Sequence, residues 1–272
     1  MNLYKIFLLK LILFIGQRTF LGRGIIRKKL VRLIEFIIFS NDHQNLNNYK
    51  FICKILGVPF YFIFDKILDY KVYFCRSERK EIFFIKKNTT DNTVFFDIGA
   101  NMGIYTQMVA SSFDKIKNST IIAIEPDPLN CFRIKRNLGL LEKKIPNIFN
   151  QVKIEECGVG EINKEMYLTK SYGPANGTVI ESYEKNSIKI KVKTLLDIVE
   201  VNKISHITNL KIDIEGYEDK ALLPFFKNAN KELYPKNIVI EYFLNRSILD
   251  YLKSIGYKIS FMNASNAILQ LK

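Results

Sequence analysis

The chain has 272 residues, 48% of them hydrophobic and 25% charged, and its 41 Lys and Arg against 27 Asp and Glu give a formal net charge of +14. That length supports one large core with a small appendage, and the composition excludes a disordered or fibrous chain. The positive balance would suit an anionic partner such as nucleic acid or phospholipid. The basic residues are nonetheless spread through a chain rich in Lys, Asn, Ile, Phe and Tyr rather than gathered into a stripe, so over the central region they read as a compositional bias.

The first 48 residues read as a separate basic amphipathic helical extension and linker. Ile6 to Ile15 is almost wholly apolar, and Gly22 to Arg32 carries Arg23, Arg27, Lys28, Lys29 and Arg32. The apolar run is shorter than the ~20 residues a bilayer requires, and Lys10 interrupts it. No small-residue cleavage site follows, as a signal peptide would need. Two readings fit: a helix lying on an anionic membrane surface, or a helical cap on the rest of the fold. The polar stretch Asn41 to Asn48 serves as the linker.

Residues 49–92 are aromatic and basic. Alternation at Lys71-Val72-Tyr73-Phe74-Cys75-Arg76 predicts a strand or hairpin there, within an N-terminal cap. Cys53, Cys75, Cys131 and Cys157 lack metal-ligand spacing, and with only His43 and His206 to join them no zinc or other metal site is expected. Reduced, buried thiols point to a cytoplasmic chain.

From Thr93 to the end, strands alternate with helices. Short apolar runs at Thr93–Ile98, Thr120–Glu125, Gln151–Glu156, Leu210–Ile214 and Asn237–Tyr242 read as strands buried on both faces. Amphipathic segments at Ile104–Phe113, Leu129–Leu141, Tyr217–Phe226 and Asn245–Ile255 lie between or after them, the pattern of a Rossmann-like, doubly wound α/β sheet. Tyr257–Phe261 and Ala267–Leu271 would close it as an antiparallel pair. Residues 161–193 form an insertion, with strands at Met166-Tyr167-Leu168 and Ile188–Val192 around a loop containing Gly, Pro and Asn.

Three motifs carry chemistry. In VFFDIGANMGIYTQ a buried strand runs through Asp97 into a turn with Gly99 and Gly103 and then into a helix, at the carboxyl edge where open α/β sheets bind ligands. The spacing is GxxxG rather than the dinucleotide GxGxxG, and a carboxylate there suits a ligand with an ammonium group better than a pyrophosphate. In IIAIEPDPLN, Glu125 ends the next strand about 20 residues beyond the glycine turn, where an acid can accept ribose hydroxyls. In LKIDIEGYEDKAL, a strand delivers Asp213 and Glu215 to the same edge. Glu241 ends IVIEY, and Lys211 reads as solvated or packed near its strand rather than catalytic.

Taken in order, FDIGANMGIYT, IEPDPLN, ECGVG, VKTLLDIV, LKIDIEGYEDKAL and IVIEY resemble the FkbM family of methyltransferases from about Phe83 to Tyr242. The resemblance implies a class I methyltransferase fold, with a seven-stranded, mostly parallel sheet and helices on both faces. It also implies S-adenosylmethionine as cofactor, whose methionine end carries the ammonium group, and O-methylation of a small molecule or sugar. On the family pattern Asp97, Gly99, Asn101 and Gly103 fall at the cofactor's amino-acid end, Glu125 at its ribose, and Glu156 and Cys157 near its adenine. With the neighbours that share these turns, the expected cofactor set is Asp97, Gly99, Ala100, Asn101, Gly103, Tyr105, Thr106, Glu125, Pro126, Glu156, Cys157 and Asp213. Asp213, Glu215 and Gly216 match the family's KxDxEG motif, which faces the reaction centre.

Methyl transfer to a hydroxyl needs an oriented oxygen and a group to take its proton. Asp213 is the first candidate base, Glu241 the second, and Glu215 completes the catalytic set. These three acids would hold a divalent cation only if the sheet edge brought them together. Nucleic-acid methylation is the competing expectation, favoured by charge and aromatics. The chain has no Asn/Asp-Pro-Pro-aromatic motif and no recognisable RNA-binding module, so a sugar or small-molecule acceptor is expected and no specific nucleic acid.

Overall fold

The computed structural model describes residues 49–64, 78–169 and 179–272. The extension expected over 1–48, the strand expected at Lys71–Arg76 and residues 170–178 of the insertion lie outside them. The chain divides into two compact units, Met1–Arg79 and Lys80–Lys272.

The described part of the first unit is a hairpin of β1 (Tyr49–Ile55) and β2 (Val58–Phe64). Leu56 and Gly57 join the strands, both with positive φ, which is the backbone of a tight two-residue hairpin turn. This hairpin was not foreseen, because VPFYFIF is apolar without alternation.

The second unit begins with helix α1 (Arg79–Lys87), which the sequence reading grouped with the N-terminal cap. Hydrogen bonds tie it to the sheet: Glu81 Oε1 accepts from Asn263 Nδ2 at 2.8 Å, and the Asn88 carbonyl just beyond the helix accepts from Asn209 Nδ2 at 3.0 Å. The main sheet runs in the order β12 (Tyr257–Met262), β13 (Asn266–Leu271), β11 (Asn237–Glu241), β10 (Asn209–Ile212), β3 (Val94–Ile98), β4 (Thr120–Ile124), β5 (Val152–Glu155). β5, β4, β3, β10 and β11 are parallel, and β13 lies antiparallel to both β11 and β12. This is the seven-stranded, mostly parallel sheet expected, with every strand within about two residues of its expected bounds.

Strand parity sorts the faces. Phe96, Ile98, Ile122, Ile124, Leu210, Ile212, Ile238 and Ile240 join a core with the inner faces of α5 (Leu195–Val201), α6 (Glu218–Asn228) and α7 (Ser247–Ser254). The intervening positions point the other way, where α2 (Ile104–Ala110) packs on β4 and α3 (Pro128–Gly139) on α2. On that face the buried row includes Phe95, Ile121 and Val239, but also Asp97, Asn209 and Lys211. Helix α5 was missed as an element; Thr194 caps it, accepting from Asp197 N at 3.1 Å. The short helix α4 (Ile148–Gln151) leads into β5.

The insertion is a four-stranded sheet, β6 (Gly158–Val159), β9 (Ile188–Lys193), β7 (Lys164–Leu168) and β8 (Val179–Ile180) in spatial order. Met166, Leu168, Ile190 and Val192 form its own small core, and Tyr217 packs against them, so the insertion rests beside the start of α6. Among the described residues no helix is long and apolar enough to cross a membrane.

Candidate active site

Sequence order reverses at β3: the chain proceeds to β4 and β5 on one side and later to β10 and β11 on the other. The crevice outside the carboxyl ends of β3 and β10 is therefore the place where such a sheet receives a ligand. The turn after β3 fits tightly into it. Gly99 and Ala100 both donate their amides to the Ile124 carbonyl at 3.0 Å. Gly99 has φ 71°, and a Cβ there would lie 1.9 Å from the Asp213 carbonyl oxygen, so only glycine lets the turn pass β10. Gly103, with φ 83°, opens α2 where a Cβ would press on Ile134 at 2.9 Å.

Two buried acids hold this turn. Glu125 Oε2 accepts from the Asn101 amide at 2.7 Å, and Oε1 from the Asp127 amide at 3.0 Å and Asn130 Nδ2 at 3.3 Å. Burial raises its pKa and these bonds oppose the rise. Since a carboxylate has about four lone-pair sites, little acceptor capacity is left for a ribose. Asp97 Oδ2 accepts from both the amide and the hydroxyl of Thr106, at 3.0 and 2.7 Å. Asp97 Oδ1 makes no hydrogen bond and is closed to solvent. Burial pushes this carboxyl upward, against the pull of Lys211 and Thr106.

These contacts show how the expected cofactor residues sit. Asp97 is 1% exposed and lies beneath the turn. Thr106, fully buried, donates to Asp97, and Ala100 and Tyr105 are also buried. Cys157 packs into the aliphatic core, with its thiol pushed up to about 11 by burial. Glu156 stands exposed and ion-paired with Lys135 at 2.6 Å. Gly99, Asn101, Pro126, Asp213, Glu215 and Glu241 are only partly covered and form the accessible rim.

Lys211, set aside by the sequence reading, is buried on the Asp97 face of β10 rather than solvated. Its ammonium donates to the Gly99 carbonyl at 2.7 Å and lies 3.8 Å from Asp97 Oδ1 and 3.9 Å from Asp213 Oδ2.

The candidate acids meet, but not in the expected combination. Carboxylate oxygens of Asp213, Glu218 and Glu241 lie within 4.8 Å of one another, with Glu218 where Glu215 was expected. Glu215 adopts φ 54°, a left-handed backbone unusual for a side-chain-bearing residue, and with Gly216 at 96° it reverses the chain into α6. That reversal aims the amides of Ile214 and Gly216 at Glu218 Oε1, at 2.8 and 3.4 Å. An acid in the first helical turn after a glycine was the available signal for Glu218. Burial and the Asp213 charge beside it push the Glu241 carboxyl up to about 9, and it shares a hydrogen bond with Asp213. A divalent cation could bridge a triad of this spacing. As it stands, the crowded charge is met by a proton on Glu241, the Lys211 ammonium and the two amides on Glu218.

An acidic, partly open rim around a turn framed by Gly99 and Gly103 fits a cationic nucleoside donor such as S-adenosylmethionine. The methyltransferase FkbM domain model matches residues 97–259, more than half of the chain. No curated protein matches. Among solved structures the chain is similar to methyltransferase FkbM from Methylobacillus flagellatus KT, at 17% identity over 75% of this chain with a TM-score of 0.47; it spans 52% of that protein. It is also similar to an rRNA methylase from Streptococcus thermophilus, at 10% identity over 72% of this chain and 98% of that one, TM-score 0.43. A third is the tRNA (uracil-54, C5)-methyltransferase of Pyrococcus abyssi in complex with S-adenosyl-L-homocysteine, at 8% identity over 81% and 43% of the two chains, TM-score 0.43. With the motifs, the sheet order and the family match in agreement, the chain belongs to the FkbM methyltransferase family and carries an S-adenosylmethionine-dependent methyltransferase domain.

Proposed function

We propose that the chain is an O-methyltransferase acting on a hydroxyl of a small molecule, a sugar of a glycan or glycolipid precursor. The observation that carries this reading is the Asp213–Glu241 pair at the open rim. Asp213 keeps 30% of its side chain exposed and ends β10 against the glycine turn, while Glu241 holds a proton well past neutrality. The cofactor supplies the methyl group on a cationic sulfur. The chain supplies the remainder: Asp213 takes the hydroxyl proton, Glu241 donates a hydrogen bond that fixes the Asp213 carboxyl, and Glu215 adds negative charge beside a cation.

In this reading the cofactor lies over Gly99, Asn101 and Pro126, its ribose reaches the remaining lone pair of Glu125, and Glu156 lies towards its adenine. The enzyme works in the cytoplasm, with the basic segment of residues 1–48 against the anionic inner face of the membrane where such precursors are assembled.

The test is transfer of labelled methyl from S-adenosylmethionine to cell-envelope sugar intermediates, run beside bulk RNA. Label in the sugar fraction, lost in Asp213→Asn while S-adenosylhomocysteine still binds, is the expected result. Label in RNA alone, with steep salt dependence, would replace this reading with RNA methylation, to which the charge of +14 lends support.

A further inference from the structure

We propose that Lys211 is a positioning residue of the cofactor site: its buried ammonium pins the Gly99 carbonyl and stands between Asp97 and Asp213, fixing the shape of the glycine turn and balancing the charge beneath it. The inference rests on the reading that this turn receives S-adenosylmethionine.

Lys211 and Asp97 are register partners on the adjacent parallel strands β10 and β3, so their side chains leave the sheet side by side on the face away from the aliphatic core. The lysine side chain is 7% exposed. An ammonium taken out of water is tolerated only among acceptors and negative charge. Here it meets the Gly99 carbonyl at 2.7 Å, the Ile98 carbonyl at 3.4 Å, and the two carboxylates at 3.8 and 3.9 Å, with the Tyr105 ring centroid 5.6 Å away. These groups come from β3, the glycine turn, α2 and the end of β10, the parts that form the crevice floor. Both Asp97 oxygens are then accounted for: Thr106 satisfies Oδ2, and Oδ1 faces Lys211. Without the lysine, Asp97 becomes a buried carboxylate with no cation, and the Gly99 carbonyl loses its short donor.

The groups facing the pair can be named. Asp97 meets Lys211 and Asp213 from β10 and the Thr106 amide and hydroxyl from α2; Lys211 meets Asp97, Asp213 and the Tyr105 ring, with the Glu215 charge beyond. Removing Lys211 leaves Asp97 to titrate, neutral at lower pH and an unpaired buried anion at higher pH.

The experiment is calorimetric binding of S-adenosylhomocysteine to the full chain as wild type, Lys211→Met, Lys211→Arg, Asp97→Asn and the double variant Lys211→Met/Asp97→Asn, with folding checked by circular dichroism. Lys211→Met is expected to weaken binding about tenfold near neutral pH, and the loss to grow as pH rises and Asp97, raised by burial, ionises. The double variant, which has no unpaired charge, should bind with no such growth, and Lys211→Arg should recover part of the affinity. If Lys211→Met does not fold, the double variant read against Asp97→Asn decides: weaker binding is expected because the Gly99 carbonyl has lost its short donor, and binding equal to that of Asp97→Asn overturns the proposal. A loss of equal size at every pH, the same with and without Asp97, makes Lys211 a filler of space and also overturns it. Wild-type affinity in Lys211→Met removes the proposal alone. Failure of the wild type to bind removes the reading of the site and this proposal with it.

Discussion

The Glu125 carboxylate, at the end of β4, holds the amide of Asn101, in the turn after β3, at 2.7 Å. Neighbouring parallel strands are thus joined by a side chain just where their backbone ladder ends. Glu125 also takes the Asp127 amide at 3.0 Å, so one buried acid shapes two successive ligand-facing turns.

Glu125→Ala should therefore do more than weaken the cofactor. It leaves the Asn101 and Asp127 amides and the Asn130 side chain without their acceptor, at a cost of about 2 to 4 kcal/mol. Glu125→Gln keeps one acceptor oxygen and should lose about half as much. Denaturant unfolding of the two variants beside calorimetry with S-adenosylhomocysteine checks this; a stable Glu125→Ala that has lost only binding would mean that the acid serves the ligand alone.

Gly99→Ala should fail for a steric reason, since its Cβ would stand 1.9 Å from the Asp213 carbonyl oxygen on a backbone at φ 71°. Either the turn or the end of β10 must move, at about 3 kcal/mol or more. The expected outcome is a fall in thermal midpoint together with loss of S-adenosylhomocysteine binding. Gly139→Ala, in open space at the end of α3, serves as the neutral control.

The strands were legible because VFFDI, TIIAI and NIVIE are dense apolar runs bounded by turn residues, and a sheet buried on both faces needs such runs. The carboxyl edge followed from chain order, and with it the meeting of Asp213 and Glu241. What spacing could not supply was depth. Asp97 and Lys211 look like ordinary polar residues at strand ends, yet parity turns both towards α2 and α3, where each neutralises the other. Glu215 and Glu218 lie three apart in IEGYED, and the left-handed backbone at Glu215 and Gly216, invisible in the letters, brings the second of them to Asp213. Motif position places Cys157 near the cofactor without revealing that β5 ends before it and that its side chain falls on the aliphatic face.

Glu156 separates a surface ion pair from a ligand contact. Its bond to Lys135 is exposed on both sides, and such pairs contribute about 0 to 1 kcal/mol. Glu156→Ala should leave the unfolding midpoint within about 4 °C of wild type while lowering affinity for S-adenosylhomocysteine several-fold. Unchanged affinity would place the adenine away from Glu156.

Glu241 sets the pH dependence of the unit. Its carboxyl titrates near 4.5 when exposed and is pushed up to about 9 in the fold by burial and by the Asp213 charge. Between those values the folded state holds a proton that the unfolded chain releases, so this group's contribution is fully present below about pH 4.5 and is lost as pH rises towards about 9. Solvent reaches one side of Glu241, which limits the effect to roughly 1 to 2 kcal/mol. Glu241→Gln keeps a neutral donor beside Asp213 and removes the titration, so its stability relative to wild type should grow between about pH 6 and about pH 9, reaching a few degrees in thermal midpoint at the alkaline end. Thermal unfolding of both proteins across that range checks the sign. Parallel curves would mean that Glu241 ionises in its ordinary range, and Asp213 would then face a charged neighbour rather than a hydrogen-bond donor.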